Sequence, residues 1–170
     1  VDPPGGNVVP PPPPPPGARA GPAAGFFGRG PVWHPSSPLK AIRGKAPKAR
    51  VEYNPGADPA AAANLARASE VAIVFLSQPT SEGRDVASLA LPDNQDQLVS
   101  AVAAANPWTI VVLETGGPVT MPWIDSVRAV LAAWYPGIRG ADAMANILFG
   151  EVNPSAKLPV TFPQSEADLP

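Results

Sequence analysis

Apolar residues collect in three short runs, 71–76 (VAIVFL), 109–113 (TIVVL) and 130–134 (VLAAW), almost without polar interruption. Unbroken apolar runs of this length predict strands buried on both faces of a sheet. Between the first two, Leu98, Val102 and Ala105 recur on one face of a helix. Asp93 stands as its N-cap and Asn106-Pro107 ends it. Asp58-Pro59 opens an alanine-rich helix running to near Ser69, and Ser36-Ser37-Pro38 opens a short one to about Ala46. A further helix is expected over residues 140–149. Shorter patterns predict a strand at 50–53, a short helix at 118–125 and a last strand at 157–162. That last strand should lie near a sheet edge, because Pro159 cannot donate a ladder hydrogen bond.

Strands alternating with helices at this spacing require crossover connections and a parallel pairing. The predicted fold class is α/β: an open, mostly parallel sheet with helices on both faces, a sandwich of flavodoxin-like or Rossmann-like architecture. Ligands of such sheets bind beyond the carboxyl ends of the strands. Three loops fall there, at residues 77–92, 114–118 and 135–140. The first is the longest, and an ordered loop of that length in a compact domain is functional more often than not. It carries Thr80-Ser81-Glu82-Gly83-Arg84-Asp85, a carboxylate beside a glycine.

Composition divides the chain in two. Of its 26 prolines, 14 fall within residues 1–50, including the unbroken run at 10–16, which should be extended polyproline II. Residues 17–30 are rich in Gly and Ala, with Phe26 and Phe27 as the only bulky apolar side chains. Residues 1–35 are therefore read as an irregular lead-in or insertion, and residues 36–170 as one domain. The 170 residues suffice for a real core, and a chain from Val1 to Pro170 is expected to be a fragment of something longer.

Charge and residue counts narrow the chemistry. A net charge of -2 with scattered basic residues gives no long-range attraction to nucleic acid or an anionic membrane. Neither a signal segment nor an apolar run of membrane-spanning length is present. With no cysteine, disulfides and thiolate metal sites are excluded, while either redox compartment remains open. His34 is the single histidine, so a multi-histidine metal site is excluded too, and no cofactor is expected. There is no G-x-S-x-G elbow, phosphate-binding P-loop or G-x-G-x-x-G fingerprint. Ser37-Pro38-Leu39-Lys40 matches S-x-x-K formally, but a capped helix start accounts for it. Glu114-Thr115-Gly116-Gly117-Pro118 follows a strand and precedes the helix expected at 118–125. Its amides could meet an anion or a sugar hydroxyl, or it could be only a tight turn. Trp123 and Trp134 could stack on a sugar; Trp134, inside the expected third strand, reads better as core.

The order of segments carries a resemblance. Ser81-Glu82-Gly83-x-Asp85 is followed by Leu89-x-Leu91-Pro92-x-Asn94-Gln95, Thr115-Gly116-Gly117-Pro118-Val119 and Met121-Pro122-Trp123. Next come Ala133-Trp134-Tyr135-Pro136-Gly137, Leu148-Phe149-Gly150-x-Val152-Asn153-Pro154-Ser155 and Lys157-Leu158-Pro159-Val160-Thr161-Phe162-Pro163. Together, over residues 36–170, they resemble the C-terminal α/β sandwich domain of glycoside hydrolase family 3, the β-glucosidase and β-xylosidase group. The resemblance implies a parent with a (β/α)8-type barrel ahead of this sandwich, hydrolysing β-linked glucosides or xylosides with retention. The family's aspartate nucleophile lies in the barrel, in a Ser/Thr-Asp-Trp context. No such triplet occurs here, so the nucleophile is expected off this chain. The family's acid/base glutamate stands in an E-G-x-D context that matches Glu82.

By this resemblance Glu82 would protonate the glycosidic oxygen and then deprotonate water in the second step. Gly83 would let the backbone approach the sugar or the barrel, and Arg84 and Asp85 would orient the loop by charge pairing or meet the substrate. The implied partners are a β-linked glucoside or xyloside and the barrel domain of the same parent, which in bacteria commonly acts in the periplasm or outside the cell. Two positions depart from the family pattern. Val86 replaces a frequent arginine and removes a salt bridge that would order the loop. Asp93 replaces a common glycine and offers a helix cap. A non-catalytic sugar-binding or interdomain scaffold is the alternative reading. A nucleotide-binding or receiver-like domain is disfavoured by the missing phosphate loop and acidic cluster.

Overall fold

The computed structural model of the chain describes residues 36–80, 83 and 85–169. The lead-in expected over residues 1–35 lies outside the described residues. Helix α1 (Pro38–Lys45) begins as the sequence requires: Ser37 Oγ accepts from the Lys40 amide at 3.3 Å, with proline in the first turn. Helix α2 (Pro59–Arg67) repeats the device, Asp58 accepting from the Ala60 amide at 2.9 Å. Strand β1 (Ala72–Gln78), helix α3 (Gln95–Ala105), strand β2 (Thr109–Thr115), strand β3 (Ala129–Ala132) and helix α4 (Gly140–Leu148) follow.

The three strands form one parallel sheet in the order β1-β2-β3. Ala72 to Gln78 pair in register with Thr109 to Thr115, and Ile110 to Leu113 with Ala129 to Ala132. Val74 and Leu76 of β1 and Val111 and Leu113 of β2 share one face and bury against Ala62 and Ala66 of α2 and Val99 and Val102 of α3. Each such aliphatic side chain contributes roughly 1.5–3 kcal/mol when withdrawn from water. The alanines of α2 are small enough to let α3 come close. On the other face, Ile73, Phe75 and Ile110 border a cleft of about 1250 Å³ that Leu39 and Ile42 of α1 and Leu148 of α4 also line. Helices α1 and α4 pack on one another, and Ser36 Oγ accepts from the Ala141 amide at 2.8 Å.

Five expectations are corrected. Residues 50–53 form no strand; Val51 gives its carbonyl to the Arg43 guanidinium at 3.2 Å, and the segment lines the cleft without pairing to β1. Residues 157–162 form no strand either: Leu158 and Val160 are exposed, and the described sheet supplies no partner. The helix expected at 118–125 is reduced to one 3₁₀ turn, Ile124–Ser126. Asp93 is not a cap. It and Asn94 adopt left-handed conformations (φ 56° and 60°), and α3 starts without a side-chain cap. The turn brings the Gln95 carboxamide onto β1, where Oε1 accepts from the Ser77 amide and Nε2 donates to the Ser77 carbonyl, both at 2.8 Å. Gln95 thus pairs with the strand end as a neighbouring strand would. Finally, Trp134 lies beyond β3 with φ 55°, out of the ladder, half-buried against the Phe162 ring at 6.0 Å between centroids.

Candidate functional site

Because all three strands run parallel, Gln78, Thr115 and Ala132 end at one edge of the sheet, and their following loops gather there. The loop after β1 is held at both shoulders. At its start, the Tyr135 hydroxyl donates to the Gln78 carbonyl at 2.6 Å, and Thr80 Oγ1 lies 2.9 Å from the same hydroxyl oxygen. A phenol has one proton; with that proton on Gln78, Thr80 is the donor to Tyr135. Gly116, after β2, sits beneath this pair. A Cβ there would stand 2.9 Å from both Thr80 Oγ1 and Tyr135 Cε2, so only glycine fits without displacement.

At the far shoulder, the Glu166 carboxylate accepts from Ser88 Oγ at 2.6 Å and from the Leu89 amide at 2.5 Å. The hydroxyl of Ser88 and, next, the Leu89 amide hold this carboxyl below the usual carboxylate range, because both bonds favour its charged form. Glu166 opens the 3₁₀ turn Glu166–Asp168, which Ser165 and Asp168 fix with a reciprocal capping box. Two further residues reach the same stretch: the Thr120 amide donates to the Leu89 carbonyl at 2.9 Å, and Gln78 Nε2 lies 3.4 Å from the Ser88 and Ala90 carbonyls. Leu91 then enters the core.

The chain matches the family model described as the glycosyl hydrolase family 3 C-terminal domain over residues 16–170. It belongs to that family. Over 114 residues it is 49% identical to β-glucosidase B of Emericella nidulans, an alignment covering 64% of this chain and 14% of that protein. A β-glucosidase of Rhizobium radiobacter is 44% identical over 112 residues, again 64% of this chain and 14% of the relative. Among solved structures, a β-glucosidase from Streptomyces venezuelae in complex with D-glucose is 53% identical, with a TM-score of 0.62, covering 64% of this chain and 14% of that one. The β-D-glucoside glucohydrolase of Trichoderma reesei is 32% identical with a TM-score of 0.73, covering 78% and 20%. The chain therefore spans about a seventh of the length of the curated relatives named here.

Within this family 3 C-terminal domain, the residues singled out by sequence fall unevenly. Glu82 and Arg84 lie outside the described residues. Gly83 is exposed with φ 73°, a left-handed conformation that favours glycine, and Asp85 is exposed. Trp123 is no sugar platform: it is 2% exposed, in the core, with Nε1 donating to Asp96 at 2.7 Å. The Glu114 to Pro118 segment opens no helix; Thr115 Oγ1 closes it as a turn by donating to the Gly117 carbonyl at 2.8 Å. Among the described residues, no cluster of His, Asp and Glu is arranged to hold a metal, and no helix is long and apolar enough to cross a membrane. Sequence reasoning missed Gln78, Tyr135 and Glu166. A buried glutamine ending an apolar strand was a signal for the first; the others had none short of their place on strand-end or terminal loops.

Proposed function

We propose that this chain is the part of a retaining β-glucosidase-like hydrolase of O-glycosyl bonds that supplies the acid/base carboxylate, Glu82. The aspartate nucleophile would come from a barrel domain elsewhere in the same parent. The observation that carries this reading is positional. The loop bearing Ser81-Glu82-Gly83-x-Asp85 leaves the carboxyl end of β1 beside the ends of β2 and β3, in a member of a family whose named relatives here are β-glucosidases. Retention needs two carboxyl groups about 5–5.5 Å apart on either side of the scissile bond. Contributed from two domains, such a pair would be assembled only when barrel and sandwich meet, around a site closed to water. That closure also raises the pKa of a carboxylic acid, as a proton donor at neutral pH requires. In the first step Glu82 gives its proton to the glycosidic oxygen; in the second it removes one from the water that attacks the glycosyl-enzyme. Gly83 supplies the tight turn beside it, while Arg84 and Asp85 position the loop or meet the substrate.

The test uses aryl β-glucosides with good and poor leaving groups. Glu82→Ala in the full-length enzyme is expected to slow the poor-leaving-group substrate by at least about a hundredfold in kcat/KM, the lower end of the usual general-acid contribution. The activated substrate should lose far less kcat/KM, and added azide should restore part of the lost kcat. This chain alone should show negligible turnover. Equal loss on both substrates, or Glu82-dependent turnover by this chain alone, would overturn the assignment.

A further inference from the structure

The stretch between Thr80 and Ser88 is bracketed by two side chains that come from far along the chain. Tyr135 lies 55 residues beyond Thr80 in sequence, and Glu166 lies 78 residues beyond Ser88. Each makes two bonds to its shoulder. Tyr135 ties together the last carbonyl of β1 and the hydroxyl of Thr80. Glu166 ties together the hydroxyl of Ser88 and the amide of Leu89, and Ser88 Oγ in turn accepts from the Ala90 amide at 3.0 Å. The bonds to Glu166 are charge-assisted, roughly twice as strong as neutral ones.

We propose that Tyr135 and Glu166 are positioning residues for the acid/base loop, acting as two tethers that fix where it begins and where it ends. This rests on the reading of Glu82 as the acid/base. Glu82 follows Thr80 by two residues in sequence and precedes Ser88 by six, so the acid lies between the two anchored positions along the chain. A proton donor must reach its oxygen within hydrogen-bond distance, and a misplacement of about 1 Å can cost about a hundredfold. Releasing either shoulder lets the stretch between them sample more conformations, and the carboxyl loses occupancy of its productive position. Neither Tyr135 nor Glu166 needs to touch the sugar for this to act.

The experiment measures kcat/KM of the full-length enzyme carrying Tyr135→Phe, Glu166→Gln or both, on the same two aryl β-glucosides. Each single variant is expected to lose roughly tenfold to a hundredfold on the poor-leaving-group substrate. On the activated substrate, which needs little acid assistance, each should lose less than about threefold. Thr80→Val and Ser88→Ala each remove one of a tether's two bonds from the loop side and should reproduce the selectivity in weaker form; they decide the matter if a tether variant fails to fold. Equal losses on both substrates, or no loss on either, would overturn the proposal. Glu82→Ala measured alongside separates the two layers. If it is selective and the tether variants are not, the positioning role alone falls. If Glu82→Ala is itself unselective, the acid/base reading falls first.

Discussion

Asn106 joins three segments of this domain through one buried side chain, and its removal should be costly. It is 3% exposed and stands where α2, α3 and β2 meet. Its Nδ2 donates to the Ala66 carbonyl at 2.9 Å and to the Ser69 carbonyl at 2.8 Å, and its Oδ1 accepts from the Trp108 amide at 2.8 Å. Asn106→Ala deletes all three bonds. Net contributions of about 1 kcal/mol each give roughly 3 kcal/mol. Stranding the Trp108 amide and the Ser69 carbonyl would add to this, but Trp108 is half-exposed and water can reach it. The Ala66 carbonyl keeps a second partner in the Ser69 amide at 3.0 Å. The expected loss is therefore about 3 kcal/mol, read as a fall of roughly 1.5 M in the urea midpoint for an m-value near 2 kcal/mol/M. Asn106→Asp sharpens the test. The introduced carboxylate keeps the acceptor for Trp108 but cannot donate, and it faces two carbonyl oxygens. Its pKa is raised in the folded state, so this variant should be at least as unstable as Asn106→Ala at neutral pH and should recover on acidification. A loss under about 1 kcal/mol for Asn106→Ala, or an Asn106→Asp variant more stable than it at neutral pH, would refute the reasoning. Asn106 lies at the amino end of β2, opposite the acid loop, so it also serves as a purely structural control for the tether variants.

Two further outcomes are expected. Gly116→Ala places a Cβ 2.9 Å from Thr80 Oγ1 and Tyr135 Cε2 and 3.2 Å from the Tyr135 hydroxyl. It should displace the tether, lowering Tm by several degrees for about 1 kcal/mol lost and reducing poor-leaving-group turnover selectively; calorimetry and the paired substrates check both. For Glu166, the folded-state pKa is depressed, so its stabilising contribution is present above the unfolded carboxylate value and is lost as pH falls through the lower folded value. The Leu89 amide proton, which donates to this carboxylate, should shift in an NMR titration with a midpoint below the usual carboxylate range, and Glu166→Gln should abolish the transition. A midpoint at or above that range contradicts the clamp.

What was legible in the sequence was local. Ser37-Pro38 and Asp58-Pro59 announced α1 and α2 because a capping oxygen and a fixed proline φ act within one turn. The apolar runs announced β1 and β2 because burial leaves no polar positions to alternate. Residues 50–53 and 157–162 satisfied a strand pattern equally well, yet a strand exists only through its partner, and none is offered to them among the described residues. Asp93 had the right chemistry for a cap; the Gln95 carboxamide on Ser77 outweighed it by demanding a left-handed turn. Trp134 likewise leaves the expected third strand, with φ 55° and its ring against Phe162.

The site divides along the same line. That three loops converge follows from parallel pairing alone, so the sequence sufficed to place the Glu82 loop at the carboxyl edge. How that loop is held did not follow, because its tethers close over sequence separations of 55 to 78 residues and leave no periodic trace. The resemblance to the family suggested that Val86, in place of arginine, would cost the loop an ordering ion pair. Glu166 bears on that loss. Its charge is directed at a hydroxyl and an amide of the loop backbone instead of at a guanidinium two residues earlier, so order at the far shoulder does not depend on the side chain at position 86. If Glu166 has taken over that role, restoring arginine by Val86→Arg should make Glu166→Gln less damaging to the poor-leaving-group reaction, whereas independent roles would leave the two effects multiplicative.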